Sequence, residues 1–293
     1  MNHTENLQFA IPKGRMFEQI QKLLSEAGCP IKISDRDYRA SIPIQQVSCK
    51  ILKPQSIVEM LAVGRRDLGF AGADWVAELQ ADVVEILDTK LNPVRIVVAA
   101  PYSFLKQGKL PTASQLGRPL VLASEYQHLA QQWIEQQQID AHFVRSWGAT
   151  EVLPPEDADF IIDNTATGST LRANQLDIID DVMCSTTRLY ASREAMNDPW
   201  KVQKIEELAM ILQSVLNARQ RVMLEMNVTA ALLDNLLHVL PAMRHPTISQ
   251  LHNHEGYAVK AAVLRTTLAE LLPLLKKAGA TDLVVSRIDQ ILV

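Results

Sequence analysis

Short apolar runs alternate with amphipathic stretches along the first two thirds of the sequence, and this alternation strongly narrows the possible folds. Short runs rich in β-branched and aromatic residues are typical of buried strands, whereas apolar residues spaced three or four apart are typical of helices. Strands that alternate with helices predict an α/β architecture, with mostly parallel sheets covered by helices. The predicted strands are Leu7–Ile11, Gln46–Leu52, Asp67–Ala71, Arg95–Ala100, Pro119–Ser124, His142–Arg145, Phe160–Ile162 and Arg188–Ala191. The predicted helices are Met16–Ala27, Ser56–Val63 and Gln127–Gln137.

The strand–helix series occurs twice, which predicts two lobes. The chain enters the second series after Asp88–Pro93 and returns to the first around Asp177–Ala191, and Tyr102–Arg118 is a long polar connection. We expect one lobe over residues 1–92 and 178–218 and the other over 93–177. Ligands of such folds bind in the crevice at the carboxyl ends of strands, as in two-lobed periplasmic binding proteins.

The last third of the sequence follows a different pattern. Six elements in the order β-α-β-β-α-β occupy about 70 residues, which is the split ferredoxin-like pattern. We place this domain at 219–293, after a predicted long helix over Lys201–Ala218. A small appended domain of this kind often binds an effector, an expectation that rests on fold analogy. The six elements are Arg221–Val228, Ala230–Leu240, Thr247–Leu251, Tyr257–Leu264, Leu268–Ala278 and Asp282–Ile288.

Composition argues against several classes of protein. Of 293 residues, 47% are hydrophobic and 21% charged, which is ordinary for a globular protein with a sizeable core. A net charge of −4 without a long basic block gives no support for nucleic-acid binding. The N-terminal segment lacks the apolar core of a signal peptide, and no apolar run approaches the roughly 18 residues needed to cross a bilayer. The scattered Cys29, Cys49 and Cys184 suit a reducing compartment. We expect a cytoplasmic protein with neither nucleic-acid nor membrane partners.

The segment after the Phe160–Ile162 strand combines a carboxylate with a small polar loop. Asp163 follows the apolar run and is expected at the end of the strand, and the loop Thr167-Gly168-Ser169-Thr170 follows closely. A glycine lets the backbone approach an anion, and three hydroxyl groups can donate hydrogen bonds to it. The segment therefore predicts a phosphate monoester site, with Asp163 placed to accept from sugar hydroxyls. An ordinary Ser/Thr/Gly turn is the alternative.

Three further segments follow predicted strands and could reach the same crevice. Lys13 and Arg15 in Pro12–Arg15 could bind a pyrophosphate, although a solvated turn before a helix is equally compatible. Gly72 could permit close approach of a ligand, and Asp74 is expected to cap the following helix. Glu151 would lie at the rim of the crevice or at the start of a helix.

Other chemistries have little support in the sequence. His252 and His254 lie two apart with His245 nearby, but no spacing of cysteines or carboxylates around them matches a metal motif. No motif for a dinucleotide, a Walker-type phosphate loop or a serine nucleophile occurs. We therefore expect no metal held by protein side chains alone and no covalent nucleophile.

Taken together, these segments resemble the ATP phosphoribosyltransferase family. The similar stretches fall in the family's order and spacing, and the last third resembles the regulatory domain of the family's long form. The DNTATGSTLRAN stretch is specific to the family, whereas PKGR alone would be a weak indication. The stretches are Pro12–Arg15, Asp67–Trp75, Ser124–Tyr126, Gly148–Glu151, Asp163–Asn174 and Thr247–Leu251.

The sequence also departs from the family pattern around these stretches. Asn164 and Thr165 stand where the family usually has apolar residues, and Gln175 stands where glycine is common. The segment Lys53–Ile57 lacks the more usual ending Asp-Ile-Pro. The phosphate loop itself is intact, so these departures concern the packing around it.

The resemblance implies a reaction that joins N1 of the adenine of ATP to C1 of phosphoribosyl pyrophosphate, with inversion and loss of pyrophosphate. It implies that Thr167, Gly168, Ser169 and Thr170 bind the 5′-phosphate and that Asp163 binds the ribose hydroxyls. Mg²⁺ would accompany the substrate phosphates, since this ion prefers them to an all-protein cage.

The same resemblance implies catalytic roles for Lys13 and Arg15, which would neutralise the leaving pyrophosphate or the phosphates of ATP. Gly72 and Glu151 would help to position ATP or the ribose. Histidine would bind the C-terminal domain, with Thr247 and Ser249 as candidate contacts, and would shift a homo-oligomer between dimer and hexamer towards a less active state.

Two alternatives stay open at the level of the sequence. Two α/β lobes around a cleft also describe non-catalytic small-molecule-binding proteins, although the absence of a signal peptide and of a helix-turn-helix weakens that possibility. A T-G-x-T loop behind an acidic residue also serves phosphoribosyltransferases that use another base. The order of the PKGR, GATE and TGST segments favours the enzyme that uses ATP.

Overall fold

A computed structural model describes residues 5–33, 39–252 and 255–292 of the chain, which forms two compact units. The larger unit comprises Met1–Lys22 and Ile31–Ile205, and the smaller one comprises Leu23–Pro30 and Glu206–Val293. In the described ranges no helix is long and apolar enough to cross a membrane.

The larger unit is built on a ten-stranded mixed sheet with the strand order β2-β3-β4-β1-β5-β10-β6-β9-β7-β8. Its strands are β1 (Leu7–Pro12), β2 (Lys32–Ile33), β3 (Arg39–Ser41), β4 (Val47–Leu52), β5 (Leu68–Gly72), β6 (Val83–Pro101), β7 (Leu120–Ser124), β8 (Ala141–Arg145), β9 (Phe160–Thr165) and β10 (Leu176–Ser192).

Most helices of this part of the chain follow a strand directly. The helices are α1 (Arg15–Glu26), α2 (Pro54–Ala62), α3 (Ala73–Glu78), α4 (Ala113–Leu116), α5 (Gln127–Gln137), α6 (Ser169–Ala173) and α7 (Pro199–Arg219). The last part of α1 and most of α7 belong to the smaller unit. The predicted α/β class and the predicted strand–helix alternation are therefore confirmed.

Two long strands set the topology of the sheet, and the sequence did not reveal their length. β6 and β10 span 19 and 17 residues and pair antiparallel with each other, with several β-bulges. β10 also pairs antiparallel with β5, and β6 with β9. Parallel pairs occur on either side of them, for example between β1 and β4 and between β7 and β9. The expectation of mostly parallel sheets was thus wrong, because only the apolar part of each long strand was recognised.

The apolar run in β6 is buried on both faces of the sheet. Ile96 and Val98 face a cluster that includes Tyr126 and residues of α5, whereas Val97 and Ala99 face a second cluster on the opposite side. Successive side chains of a strand point to opposite faces, so a continuous apolar run requires cover on both. Each fully buried aliphatic side chain stabilises the fold by roughly 1.5–3 kcal/mol. The region that holds the candidate site is therefore firmly packed.

The smaller unit has the predicted β-α-β-β-α-β order. Its antiparallel sheet has the order β12-β13-β11-β14, and in β11 buried residues alternate with partly exposed ones, as expected for a sheet covered on one face. Leu236 of α8 and Leu271 and Leu275 of α9 belong to its core. The elements are β11 (Arg221–Val228), α8 (Leu233–Val239), β12 (Thr247–Gln250), β13 (Tyr257–Leu264), α9 (Leu268–Lys277) and β14 (Thr281–Arg287). The split of the larger unit into two lobes at residues 93 and 177 stays a prediction.

Candidate active site

The predicted phosphate loop joins β9 to the short helix α6. Gly168 precedes the helix with φ of 73°, in the left-handed region that favours glycine, and a side-chain carbon there would press against the Arg172 guanidinium. The Thr167 hydroxyl donates to the Ser169 hydroxyl at 3.0 Å, and Arg172 Nη2 donates to the Thr167 carbonyl at 3.0 Å. The loop is therefore held in one shape, with Thr167, Ser169 and Thr170 exposed on it.

The departures from the family pattern have local explanations. The Thr165 hydroxyl is buried and accepts a hydrogen bond from the Gly168 backbone N–H at 2.9 Å, so it fixes the turn of the loop from within. Asn164 Nδ2 donates to the Tyr126 hydroxyl and to Asp163 Oδ1, both at 3.3 Å. Gln175 has φ of 58°, which explains why glycine is common at this position.

Asp163 lies inside β9 rather than at its end. The strand continues to Thr165, and Asp163 pairs with Val97 of β6. The strand predicted from the apolar run Phe160–Ile162 was too short, because the polar residues 163–165 also pair with β6. The carboxylate is nevertheless directed to the cleft, where it lines a cavity with the loop.

The first of two adjoining cavities in the larger unit has a volume of about 440 Å³. Six of the site residues predicted from sequence line this cavity. Gly168 lies in the loop between Thr167 and Ser169. Those six are Arg15, Glu151, Asp163, Thr167, Ser169 and Thr170.

The second cavity, of about 220 Å³, is lined by Lys13, Arg15 and Gly72 among other residues. Arg15, Glu125 and Asn164 line both cavities. Lys13 and Arg15 flank Gly14, whose φ of 78° turns the chain from β1 into α1. A guanidinium at the junction of two cavities can contact ligands in each, and its forked donors suit phosphate oxygens.

The electrostatics of the first cavity centre on Asp163. Burial and, secondarily, the negative charges of Glu151 and Glu125 raise the pKa of this carboxyl to about 6, against the opposing effects of the Asn164 N–H and Arg15. The Asn164 N–H donates to Asp163 Oδ1 at 2.7 Å. The carboxylates of Glu151 and Glu125 thus lie within electrostatic reach of Asp163, and all three residues line the same cavity.

Asp74 does not cap helix α3 as its position in the sequence suggested. Its carboxylate is buried and accepts hydrogen bonds from the Ser185 hydroxyl at 2.6 Å and the Tyr126 hydroxyl at 2.8 Å. Burial and the charge of Asp74 raise the pKa of Tyr126, so the phenol stays protonated. The carboxylate also occupies the space next to Gly72, where a side chain would clash with it. Gly72 therefore gives room to Asp74 and also lines the second cavity.

A tight loop presents Glu151 to the first cavity. The hydroxyl groups of Ser146 and Thr150 are buried and lie 2.7 Å apart, which closes the loop at its base. Gly148 and Ala149 have φ of 105° and 48°, and this left-handed turn leads into a one-turn helix over Thr150–Val152. Such backbone strain is characteristic of functional sites.

Several lining residues were not predicted from sequence. Glu125 follows β7 directly, and Asn164 follows Asp163 within β9. Trp75 lines the second cavity and stacks on Tyr126, with ring centroids 4.8 Å apart. Ser185, Thr186 and Thr187 of β10 line it too. Glu125 could have been predicted as a site residue, because it follows a predicted strand. The hydroxyls of β10 could not, because their position depends on how the strands pair.

Within the described ranges, no group of three or more His, Cys, Asp and Glu side chains is arranged to hold a metal ion. His245 and His252 belong to those ranges, and His254 lies outside them.

A glycine turn after a strand, with hydroxyls, carboxylates and a guanidinium around one cleft, is an arrangement typical of α/β enzymes that act on phosphorylated substrates. The family model for ATP phosphoribosyltransferase matches residues 53–214, and the model described as HisG, C-terminal domain, matches residues 218–290. The chain belongs to the ATP phosphoribosyltransferase family, in its long form with a C-terminal domain. Its function is that of the family, the first step of histidine biosynthesis.

Similar proteins support this membership over the whole length. ATP phosphoribosyltransferase of Pelotomaculum thermopropionicum is 37% identical over 283 residues, which cover 95% of this chain and 96% of that protein. The enzyme of Chlorobium phaeobacteroides is 35% identical over 298 residues, which cover 100% of both chains. The solved structure of an ATP phosphoribosyl transferase (HisG:HisZ) complex from Thermotoga maritima matches the fold with a TM-score of 0.62 at 24% identity, covering 72% of this chain and 98% of that one. The non-catalytic alternative and the use of another base are therefore wrong.

Proposed function

We propose that the first cavity binds the phosphoribosyl group of phosphoribosyl pyrophosphate and the second binds the adenine end of ATP. The observation behind this proposal is that Arg15, Glu125 and Asn164 line both cavities, so ligands in the two would meet beside them. The exposed hydroxyls of Thr167, Ser169 and Thr170 donate to the 5′-phosphate, and Gly168 lets the backbone approach it. Asp163 accepts from the ribose hydroxyls.

The chemical step needs charge complementarity rather than a nucleophilic side chain. As the bond from C1 to the pyrophosphate breaks, the ribose becomes cationic and the leaving group gains negative charge. Carboxylates of Glu125, Glu151 and Asp163 stabilise the first charge, and Lys13 and Arg15 stabilise the second. The two cavities hold N1 of adenine and C1 of the ribose in reach of each other.

The carboxylates also fit a requirement for Mg²⁺. Glu151 and Glu125 each raise the pKa of Asp163, so the wall of the first cavity has a local excess of negative charge that a cation would relieve. Mg²⁺ is usually held by one or two carboxylates together with substrate phosphates. When bound, the ion would neutralise charge on the pyrophosphate.

An assay with ATP, phosphoribosyl pyrophosphate and Mg²⁺ tests the proposed function through the ultraviolet absorbance of phosphoribosyl-ATP. In this assay we expect Thr170→Ala to raise KM for phosphoribosyl pyrophosphate by about tenfold, because a hydrogen bond to a charged group contributes about 1.5–3 kcal/mol. The KM for ATP should change little. Thr229→Ala, which alters a threonine in the smaller unit, is the matched control.

Absence of product from the wild-type protein without histidine would contradict the function. An unchanged KM for phosphoribosyl pyrophosphate in Thr170→Ala would contradict the assignment of the loop alone.

We further propose that histidine inhibits the enzyme through the smaller unit. Thr247 and Ser249 are exposed on β12, an edge strand, and Thr247 lines a cavity of about 200 Å³ with Arg244 and Lys260. The hydroxyls offer partners for the ammonium group of an amino acid, and the cations offer partners for its carboxylate. If histidine and the substrates prefer different states, each weakens binding of the other by the same factor.

Thr247→Ala should raise the histidine concentration for half-inhibition by about tenfold, the effect of one hydrogen bond to a charged group, with kcat unchanged. Inhibition curves at fixed substrate concentrations measure this shift. Ser286→Ala, on the strand β14 at the other edge of the sheet, is the control. Equal inhibition of Thr247→Ala, Ser249→Ala and wild type would assign the histidine site elsewhere. A cytoplasmic location and assembly from dimer to hexamer stay predictions from the sequence.

A further inference from the structure

The smaller unit has a basic cavity that is not part of the catalytic cleft. Its volume is about 420 Å³, and all seven residues that line it belong to that unit. Three of them are arginines on three different elements. Arg219 lies in the last turn of α7, Arg265 in a one-turn helix that precedes α9, and Arg287 at the end of β14.

The positive charge of this cavity is only partly compensated. Arg219 Nε pairs with Glu26 Oε2 at 2.8 Å. Across residues 5–33, 39–252 and 255–292, neither Arg265 nor Arg287 has an ion-pair partner. Asp289 also lines the cavity, so among the described residues three guanidinium groups and two carboxylates line it. The chain as a whole has a net charge of −4, so the cluster is not a consequence of a basic composition.

The guanidinium of Arg219 has an unused donor. Its Nη2 is buried and has no hydrogen-bond partner in the described part of the chain. A buried donor without a partner costs free energy, which a rotation towards an acceptor in the cavity would recover. Arg265 and Arg287 are exposed, and their forked donors are accessible from solvent.

We propose that this cavity, which we term the arginine cavity (Arg219, Arg265 and Arg287), is a second anion site for a small molecule with a phosphate or diphosphate group. Arginine binds phosphate oxygens through pairs of parallel N–H donors, and three such forks around one cavity match the several oxygens of a diphosphate. The cavity is larger than an inorganic diphosphate, so it has room for an organic group attached to the phosphate. The arginine cavity belongs to the smaller unit, whereas the phosphate loop belongs to the larger one.

Calorimetric titration of the full-length protein with inorganic pyrophosphate tests this site. We expect two binding events per chain, one in the catalytic cleft and one in the arginine cavity. Arg287→Ala and Arg265→Ala should each weaken the second event by at least about tenfold, since each removes a charged donor pair. Their product inhibition by pyrophosphate, which reports on the cleft, should equal that of wild type. Both side chains are exposed, so the variants should fold.

Lys277→Ala removes one exposed positive charge from α9 in the same unit, outside the cavity, and should retain both events. A single event in wild type, or two events in the double variant of Arg265 and Arg287, would overturn the proposal. So would equally strong binding of citrate, because the site would then not select phosphate. If wild type shows no second event and the variants differ from it in oligomeric mass, the arginines would belong to a contact between subunits instead.

Discussion

Replacing Arg15 with alanine is expected to lower kcat/KM by about 10²–10³-fold, the effect usually seen when one preorganised donor to a developing charge is removed. Arg15 lines both cavities of the cleft, so the substitution removes a positive charge from the junction where the two substrates would meet. In the proposed mode of binding pyrophosphate would leave at this junction, and no other cation of α1 lines either cavity.

The same substitution should change the pH dependence of the reaction. The charge of Arg15 lowers the pKa of Asp163 against the effects of burial, Glu151 and Glu125. Without Arg15, Asp163 binds its proton at a higher pH, so the acid limb of the kcat/KM profile should move towards neutral pH. Arg15→Lys keeps the charge but loses the forked donors, and we expect it to retain the position of the limb while losing much of the rate.

Lys22→Ala is the matched control for charge, because Lys22 is exposed on the same helix and lines neither cavity. Steady-state rates between pH 5 and 9 would measure all three variants. Rates of Arg15→Ala within threefold of wild type would contradict a catalytic role for this residue. An acid limb that does not move would show that Asp163 does not control it.

The parts of the site that the sequence revealed are those encoded in short consecutive segments. The hydroxyls of Thr167–Thr170, the carboxylate of Asp163 and the cations of Pro12–Arg15 each follow an apolar run, and ligands of α/β folds bind beyond the carboxyl ends of such runs. The C-terminal unit was predictable for the same reason, since each of its elements has a clear periodicity.

What the sequence could not reveal depends on long-range pairing. The predicted strand Arg95–Ala100 of β6 pairs with residues 177–184 of β10, and the predicted strand Arg188–Ala191 of β10 pairs with residues 84–88 of β6. Neither of these two partner segments was predicted as a strand, because polar residues interrupt both. Consequently Ser185 and its neighbours in β10 were not expected near Asp74, more than a hundred positions away in the sequence. The buried acceptor role of Asp74 depends on two long-range contacts, the pairing of β10 with β5 that brings Ser185 to it and the packing of Tyr126 against it.

Asp163→Asn is expected to raise the free energy of unfolding of the protein and to raise its KM for phosphoribosyl pyrophosphate. Burial holds the pKa of Asp163 at about 6 instead of the usual 3.8. Between these two pH values the folded chain keeps a proton that the unfolded chain has lost, so the free energy of unfolding falls as the pH rises through this window. Above pH 6 the full cost of the buried charge is present. Each pKa unit corresponds to 1.36 kcal/mol, so the neutral amide should raise the free energy of unfolding at pH 8 by about 1–3 kcal/mol.

Catalysis should respond in the opposite direction. In the proposed mode of binding the ionised carboxylate would accept charge-assisted hydrogen bonds from the ribose hydroxyls, whereas the amide presents one acceptor and a donor. We expect KM for phosphoribosyl pyrophosphate to rise by about 10–100-fold, which is the loss of about 1.5–3 kcal/mol. In wild type the same loss should appear on acidification through pH 6, and the variant should lack this dependence.

Urea unfolding at pH 4 and pH 8 separates the two effects from a general change in the fold. The difference in unfolding free energy between Asp163→Asn and wild type should be near zero at pH 4 and clearly positive at pH 8. Asp157→Asn, an exposed acid in the turn before β9, should show no difference at either pH. A variant that is less stable at pH 8 would mean that the charge of Asp163 is compensated in the free enzyme. That result would contradict a raised pKa of Asp163. It would also contradict the view that the ribose hydroxyls require an ionised carboxylate whose burial lowers the stability of the protein.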